Sequence, residues 1–285
     1  MTIFICILNG FFWALFDVTR KLSLKYVSPK VLLILFMIVQ FIFFFSWVFF
    51  EENLKIEKSY FIPGLILVLI SVISAIIFLK SLVLSDLSLT IPLLSLTPIF
   101  SSFFSYLVLN ETLKKIEYFG ILVIVLGTLI LYAEKFEIKS IFKSFKVISL
   151  NLGARLMVLV SVFWSITPIF DKICLKHTSV NVHGLIQSLG MLLFLLIVSQ
   201  KELTNLKKIS NSSGLIIITL CVGTIATVLQ FYAILENYVA IMEAIKRTLG
   251  QTCAVLFGFF IFKEKINLQK IVGVIILSTG VFFIL

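Results

Sequence analysis

The stretch LVLNETLKKIEYFGILVIVLGTLIL, residues 107–131, decides how this chain folds, because a second copy stands at 260–284 as FIFKEKINLQKIVGVIILSTGVFFI. At a constant offset Glu111 falls on Glu264, Gly120 on Gly273 and Gly127 on Gly280. Within each copy the two glycines are two helical turns apart, so they share one face, where a missing side chain lets a neighbouring helix approach closely. The copies follow an earlier pair, FWALFDVTRKLSLK at 12–25 and FWSITPIFDKICLK at 163–176, which aligns Phe12 with Phe163, Trp13 with Trp164 and Lys21 with Lys172. The chain is therefore two related halves.

Composition sets the solvent. Hydrophobic residues make up 60% of the 285 and charged residues 13%, against about half and a quarter in a soluble domain. Apolar runs of the length that crosses a ~30 Å hydrocarbon core recur from end to end. Ten spans are expected, near 3–24, 31–50, 61–84, 87–109, 117–133, 152–175, 182–199, 213–235, 239–262 and 268–285. The first, IFICILNGFFWALF, lacks a basic n-region and a small-residue cleavage site and reads as a retained span. The expected fold is an all-α integral membrane protein, with a five-helix repeat at 1–133, a linker at 134–151 and a second repeat at 152–285. An odd number of spans per repeat turns the second upside down, and inverted repeats characterise transporters with a substrate site near the midplane. In the linker, Ile138, Ile141, Phe142, Phe145 and Ile148 recur at helical spacing opposite Lys139, Lys143 and Lys146, the pattern of a helix lying in the interface.

The net charge of +10 is not a nucleic-acid footprint, since Lys and Arg lie mostly in short loops between apolar runs. Cys6, Cys174, Cys221 and Cys253 form no CxxC, which excludes a zinc site or a disulfide framework as the organising feature. His177 and His183, the only histidines, have no evident acid or metal partner set, so no enzyme activity, cofactor or metal is expected.

Together, the segment 88–127, with its small residues and Pro92 and Pro98, then "L-x-E" and a glycine-bearing span, and its second copy at 258–280 resemble the drug/metabolite transporter superfamily in its ten-span, two-EamA-domain form. The resemblance covers nearly the whole chain. It implies alternating access through a central cavity lined by the first, third, fourth, sixth, eighth and ninth spans, and both termini in the cytoplasm of a cell-membrane protein. Counted by loops, Lys and Arg favour both termini outside; the family orientation is followed here.

The charges inside the spans are the functional signal. Each costs about 2.5–3.5 kcal/mol at a helix centre on insertion scales. Lys80 lies late in the third span, and Glu243, Lys246 and Arg247 lie in the ninth. Glu243 precedes Arg247 by four residues, in the favoured acid-first order, while Lys246 points elsewhere without an evident local partner. Set in the cavity the resemblance implies, Lys80, Lys246 and Arg247 would bind a carboxylate, phosphate or sulfate. Trp13 and Trp164 would wall the site, and Ser95, Thr97, Gln230, Tyr232 and Gln251 would add uncharged polar contacts. Asp17 would pair with Lys21 or carry a coupling proton, and Glu243 would serve in charge pairing. Pro92, Pro98 and Pro168 would kink their helices for gating. Gly120, Gly127, Gly273 and Gly280 would pack the fifth span on the tenth. The expected partners are a small-molecule substrate, the lipid bilayer and a coupling proton or ion, with no nucleic acid, in a monomer or weak dimer. Two other readings share the fold: a flippase for lipid or lipid-linked sugar, and a cationic drug or amine exporter.

Overall fold

A computed structural model describes residues 2–51, 54–84, 91–132, 151–198, 213–261, 263 and 266–285. Over these residues the chain is helical, its one β feature an isolated bridge between Ile56 and Thr178. Ten α-helices occur among the described residues: α1 Thr2–Ser23, α2 Pro29–Phe49, α3 Phe61–Leu84, α4 Thr97–Leu109, α5 Lys115–Tyr132, α6 Leu152–Leu175, α7 Val180–Val198, α8 Ser213–Glu236, α9 Val239–Phe260 and α10 Leu268–Ile284. Seven of them (α1, α2, α3, α5, α6, α7 and α8) are long and apolar enough to cross a membrane on their own. The other three fall short for visible reasons. The α4 helix has 13 residues, α9 carries three charges and α10 has 17 residues.

Their ends follow local chemistry. Ser28 caps α2 by accepting from the Val31 N–H at 3.4 Å, with Pro29 supplying a preset first turn. Asn267 caps α10 by accepting from the Lys270 N–H at 2.9 Å. Asn110 ends α4 in the left-handed conformation at φ 56°, and Lys263, its counterpart in the second half, adopts φ 55°. The fourth span departs from the uniform helix expected at 87–109. A 3₁₀ segment, Ile91–Leu96, precedes α4. Pro98 therefore stands in the first turn of α4, where its missing N–H costs nothing, and is not an interior kink. Pro168 does lie inside α6. The 134–151 linker helix falls, all but its last residue, outside the described residues.

The chain divides into two compact units, Met1–Val72 with Phe170–Glu236, and Ile73–Ile169 with Asn237–Leu285. In the first, α1 packs on α8 and α2 on α7 around Phe16, Val31, Ile34, Phe36, Leu195, Ile216 and Leu220. The hydroxyls of Ser23 and Thr219 meet at 2.8 Å between α1 and α8, and Gln40 Nε2 donates to Thr227 Oγ1 at 2.6 Å between α2 and α8. In the second unit, α5 packs on α10 and α4 on α9. A Cβ added at Gly120 would stand 2.7 Å from the Gly280 carbonyl oxygen, and one at Gly127 would stand 2.9 Å from the Leu277 nitrogen. Early residues of α5 thus meet late residues of α10, so these two repeat-related helices run antiparallel, as inversion requires. Large apolar side chains such as Phe49, Ile62, Val83 and Phe282 are exposed on helix surfaces. Water would not tolerate so much apolar surface, and lipid does.

Candidate functional site

The ninth helix begins with an acid from another element. Glu111, buried beyond the left-handed turn at Asn110, accepts the Val239 N–H with Oε2 at 2.8 Å. Tyr238, the residue at the cap position, makes no side-chain cap bond. A carboxylate here satisfies an orphan donor and opposes the positive end of the helix dipole. It explains why the "L-x-E" motif follows α4: the turn at Asn110 aims Glu111 at the start of α9.

One turn further in stand the charges. Glu243 is fully buried, while Lys246 and Arg247 keep 13% and 18% of their side-chain surface. The structure keeps the expected Glu243–Arg247 pair and corrects the expectation for Lys246, which has a local partner after all. Lys246 Nζ contacts Glu243 Oε1, and Arg247 Nε lies 3.8 Å from Oε2. Residues three and four apart are both neighbours on a helix, so one carboxylate reaches both cations. The lysine stem curls back to the acid. Arg247 instead lies with its guanidinium carbon 5.4 Å from the centre of the Trp164 ring, an attraction of about 0.5–2 kcal/mol depending on desolvation. Trp164 is itself braced by Phe78 of α3, ring centres 5.0 Å apart. Among the described residues, Arg247 Nε and Glu243 Oε2 are buried without a hydrogen-bond partner. Two polar atoms at that depth are costly to leave unmade.

The other expected site residues scatter. Thr97 and Ser95 are buried beside the start of α4, and the Thr97, Ser101 and Ser105 hydroxyls have no hydrogen-bond partner among the described residues. Gln251 is buried and accepts from Thr128 at 2.7 Å, which ties α9 to α5. Lys80 is exposed, on a stripe of α3 with Leu69, Ile73, Ile76 and Leu84, all exposed and apolar. Its long stem suits snorkelling near the helix end, and no described contact joins it to Arg247. Trp13, half-buried, packs edge-on against Phe16 of its own helix at 5.5 Å. Gln230 is half-buried and Tyr232 is 39% exposed, on either side of buried Phe231. Asp17 is exposed and accepts from Arg20, three residues on across the helix face, at 2.8 Å.

Sequence reasoning missed a second polar cluster, in the first unit. His183 Nε2 lies 3.0 Å from Asp171 Oδ1, and His183 Nδ1 lies 3.0 Å from Tyr60 Oη. All three side chains are buried. The signal was available: α6 and α7 are joined by a short turn, so residues equally far from it, Asp171 before and His183 after, face each other across the hairpin. Nearer the surface, Glu57 Oε2 meets His177 Nδ1 at 2.8 Å, and Lys55 lies 3.2 Å from the same carboxyl. The hydrogen bond from His177, then that from Lys55, hold the Glu57 carboxyl below the usual carboxylate range. Among the described residues no group of three His, Cys, Asp or Glu could hold a metal ion.

Comparison with known proteins speaks to the fold and the family. A protein of known crystal structure superposes with a TM-score of 0.71 over 99% of this chain and 96% of its own, at 13% identity, which speaks for the fold alone. An uncharacterized transporter of Methanothermobacter thermautotrophicus (strain ATCC 29096 / DSM 1053 / JCM 10044 / NBRC 100330 / Delta H) is 24% identical over 196 residues, which cover 67% of this chain and 54% of that protein. The chain thus spans about half the length of that relative. The sequence profile of the EamA-like transporter family matches residues 1–133 and again 151–285. With both halves matched, the chain belongs to the EamA-like transporter family, and it is a multi-pass membrane protein.

Proposed function

We propose that this chain is a secondary transporter that moves a small organic metabolite bearing a carboxylate or phosphate across the membrane by alternating access, with Arg247 as the anchor for that group. The observation that carries the reading is the pairing on α9. Glu243 Oε1 is engaged by Lys246, while Arg247 stays 3.8 Å from Oε2 and rests on the Trp164 ring with its Nε unpartnered among the described residues. A guanidinium offers a planar fork to carboxylate and phosphate, and a ring beneath it fixes the plane of that fork. An incoming anion would complete the hydrogen bonding that Glu243 leaves unfinished. The cation-exporter reading is weaker, because the buried acid it would use already faces two cations.

A thermal-shift screen of purified protein tests this, using inorganic phosphate, sulfate, short carboxylates, neutral sugars and amines. Stabilisation by anions, lost in Arg247→Gln, is expected. Stabilisation by amines alone would overturn the reading.

A further inference from the structure

We infer that Asp171, His183 and Tyr60 form a reversible proton-binding site in the first unit, loaded from the aqueous phase at the connections 54–60 and 176–179. The three side chains come from three elements: the end of α6, the start of α7 and the 3₁₀ turn Lys58–Tyr60 that leads into α3. Both ring nitrogens of His183 are engaged, at 3.0 Å each, with a carboxylate on one side and a phenol on the other.

That arrangement keeps both ring nitrogens of His183 engaged in two protonation states. In one, Tyr60 donates its O–H to Nδ1, and Nε2–H donates to the Asp171 carboxylate. The imidazole is neutral and the cluster carries one buried negative charge. One added proton at Nδ1 makes both ring nitrogens donors, and the Tyr60 oxygen turns from donor to acceptor. The imidazolium then faces the carboxylate as a neutral pair. No hydrogen bond of His183 is lost in either state, since a phenol serves both roles. The proton belongs to the pair rather than to one residue.

The surroundings keep this exchange dry and local. Phe231 of α8 stands edge-on to the imidazole at 4.9 Å. Phe44 of α2 packs against Gly184, where an added Cβ would come within 2.5 Å of its ring. Titratable groups packed near the pair include Tyr60 from the turn and Cys174 from α6, in one cluster with Leu67, and Glu51, which accepts from Asn181 two residues before His183. Half-buried Lys172 adjoins Asp171 in sequence. Towards water lie Glu57 and His177, joined at 2.8 Å, with Ser59 also 3.1 Å from His177 Nδ1. Tyr60 is three residues beyond Glu57, so the turn connects the exposed pair to the buried one. Asp17, which the sequence offers for proton coupling, is by contrast exposed and paired with Arg20. The inference rests on the transport reading only in that a bound proton gives a transporter an ion to couple.

The test needs no substrate. The chain has two histidines, so protein labelled with ¹⁵N-histidine shows two imidazoles by NMR, and His177→Gln assigns them. On acidification His183 is expected to pass from one to two protonated ring nitrogens in a single step. Asp171→Asn should weaken that proton uptake, and Tyr60→Phe should weaken it less. A His183 signal constant over every pH at which the protein stays folded would overturn the site, as would uptake indifferent to Asp171→Asn. Should Asp171→Asn fail to fold, titration of the unsubstituted protein and of Tyr60→Phe still decides. No anion is present, so failure here leaves the Arg247 reading standing, and failure of anion binding leaves this site standing.

Discussion

The two buried charged clusters differ in how completely they are satisfied. In the first unit, His183 has a partner on each ring nitrogen. In the second, Arg247 Nε and Glu243 Oε2 lack hydrogen bonds among the described residues, although they face each other at 3.8 Å. Buried polar groups are normally paired, so the two proposals above rest on this contrast: a ligand would complete the one cluster, and a proton would rearrange the other.

The largest effect that would sharpen this contrast is on Glu243. Glu243→Gln strands Lys246 and Arg247 in the spans without their acid. Breaking a buried pair from one side costs about 3–5 kcal/mol, and denaturation of the purified variant should show a loss of that order. A loss under about 1 kcal/mol would mean that the cations reach water or lipid headgroups instead.

The next effect is one of shape. Gly120→Ala puts a methyl 2.7 Å from the Gly280 carbonyl oxygen, a backbone atom that cannot turn aside. Gly127→Ala does the same against the Leu277 nitrogen at 2.9 Å. Each should cost about 1–3 kcal/mol by overpacking, read as a lower unfolding temperature with anion stabilisation retained.

Glu111 comes third. Glu111→Ala removes the acceptor for the Val239 N–H and should cost about 0.5–2 kcal/mol, as loss of a cap does. Glu111→Gln keeps an acceptor and should cost less. Equal losses would show that charge rather than hydrogen bonding matters at this end of α9.

The smallest expected effect concerns the exposed residues. Lys80→Met should leave anion stabilisation in place, since Lys80 lies on the exposed stripe of α3. The Glu57 carboxyl is held below its usual range, so its tie to His177 and Lys55 is complete at neutral pH and survives passage through ordinary carboxylate titration. It is lost only as pH falls below the range in which an unperturbed carboxylate titrates. Amide exchange at Glu57, whose N–H donates to the His177 carbonyl at 3.1 Å, should stay slow until then.

What the sequence disclosed follows from how locally each feature is written. The α9 charges were legible because Glu243, Lys246 and Arg247 lie within five residues of one apolar run. The Glu243–Arg247 pair was legible with them, while the turn of Lys246 to the same acid and the contact of Arg247 with Trp164, on another helix, were not. The glycine repeat was legible in Gly120, Gly127, Gly273 and Gly280, because periodicity survives in one dimension. The His183 cluster was obscured because Tyr60, Asp171 and His183 sit on three elements and meet only after the α6–α7 hairpin closes. The break before Thr97 was also hidden, since proline announces an interruption without saying whether it bends a helix or starts one.

Anion capture by Arg247 above Trp164 is tested most directly by tryptophan emission. The chain has three tryptophans, Trp13, Trp47 and Trp164. Protein carrying Trp13→Phe and Trp47→Phe reports Trp164 alone. Titration with phosphate, sulfate and short carboxylates should give, for at least one of them, a saturable change in emission as the anion's charge meets the guanidinium above the ring, and none after the further change Arg247→Gln. Emission unmoved by every one of these anions, or moved equally without Arg247, would contradict an anion site at this position.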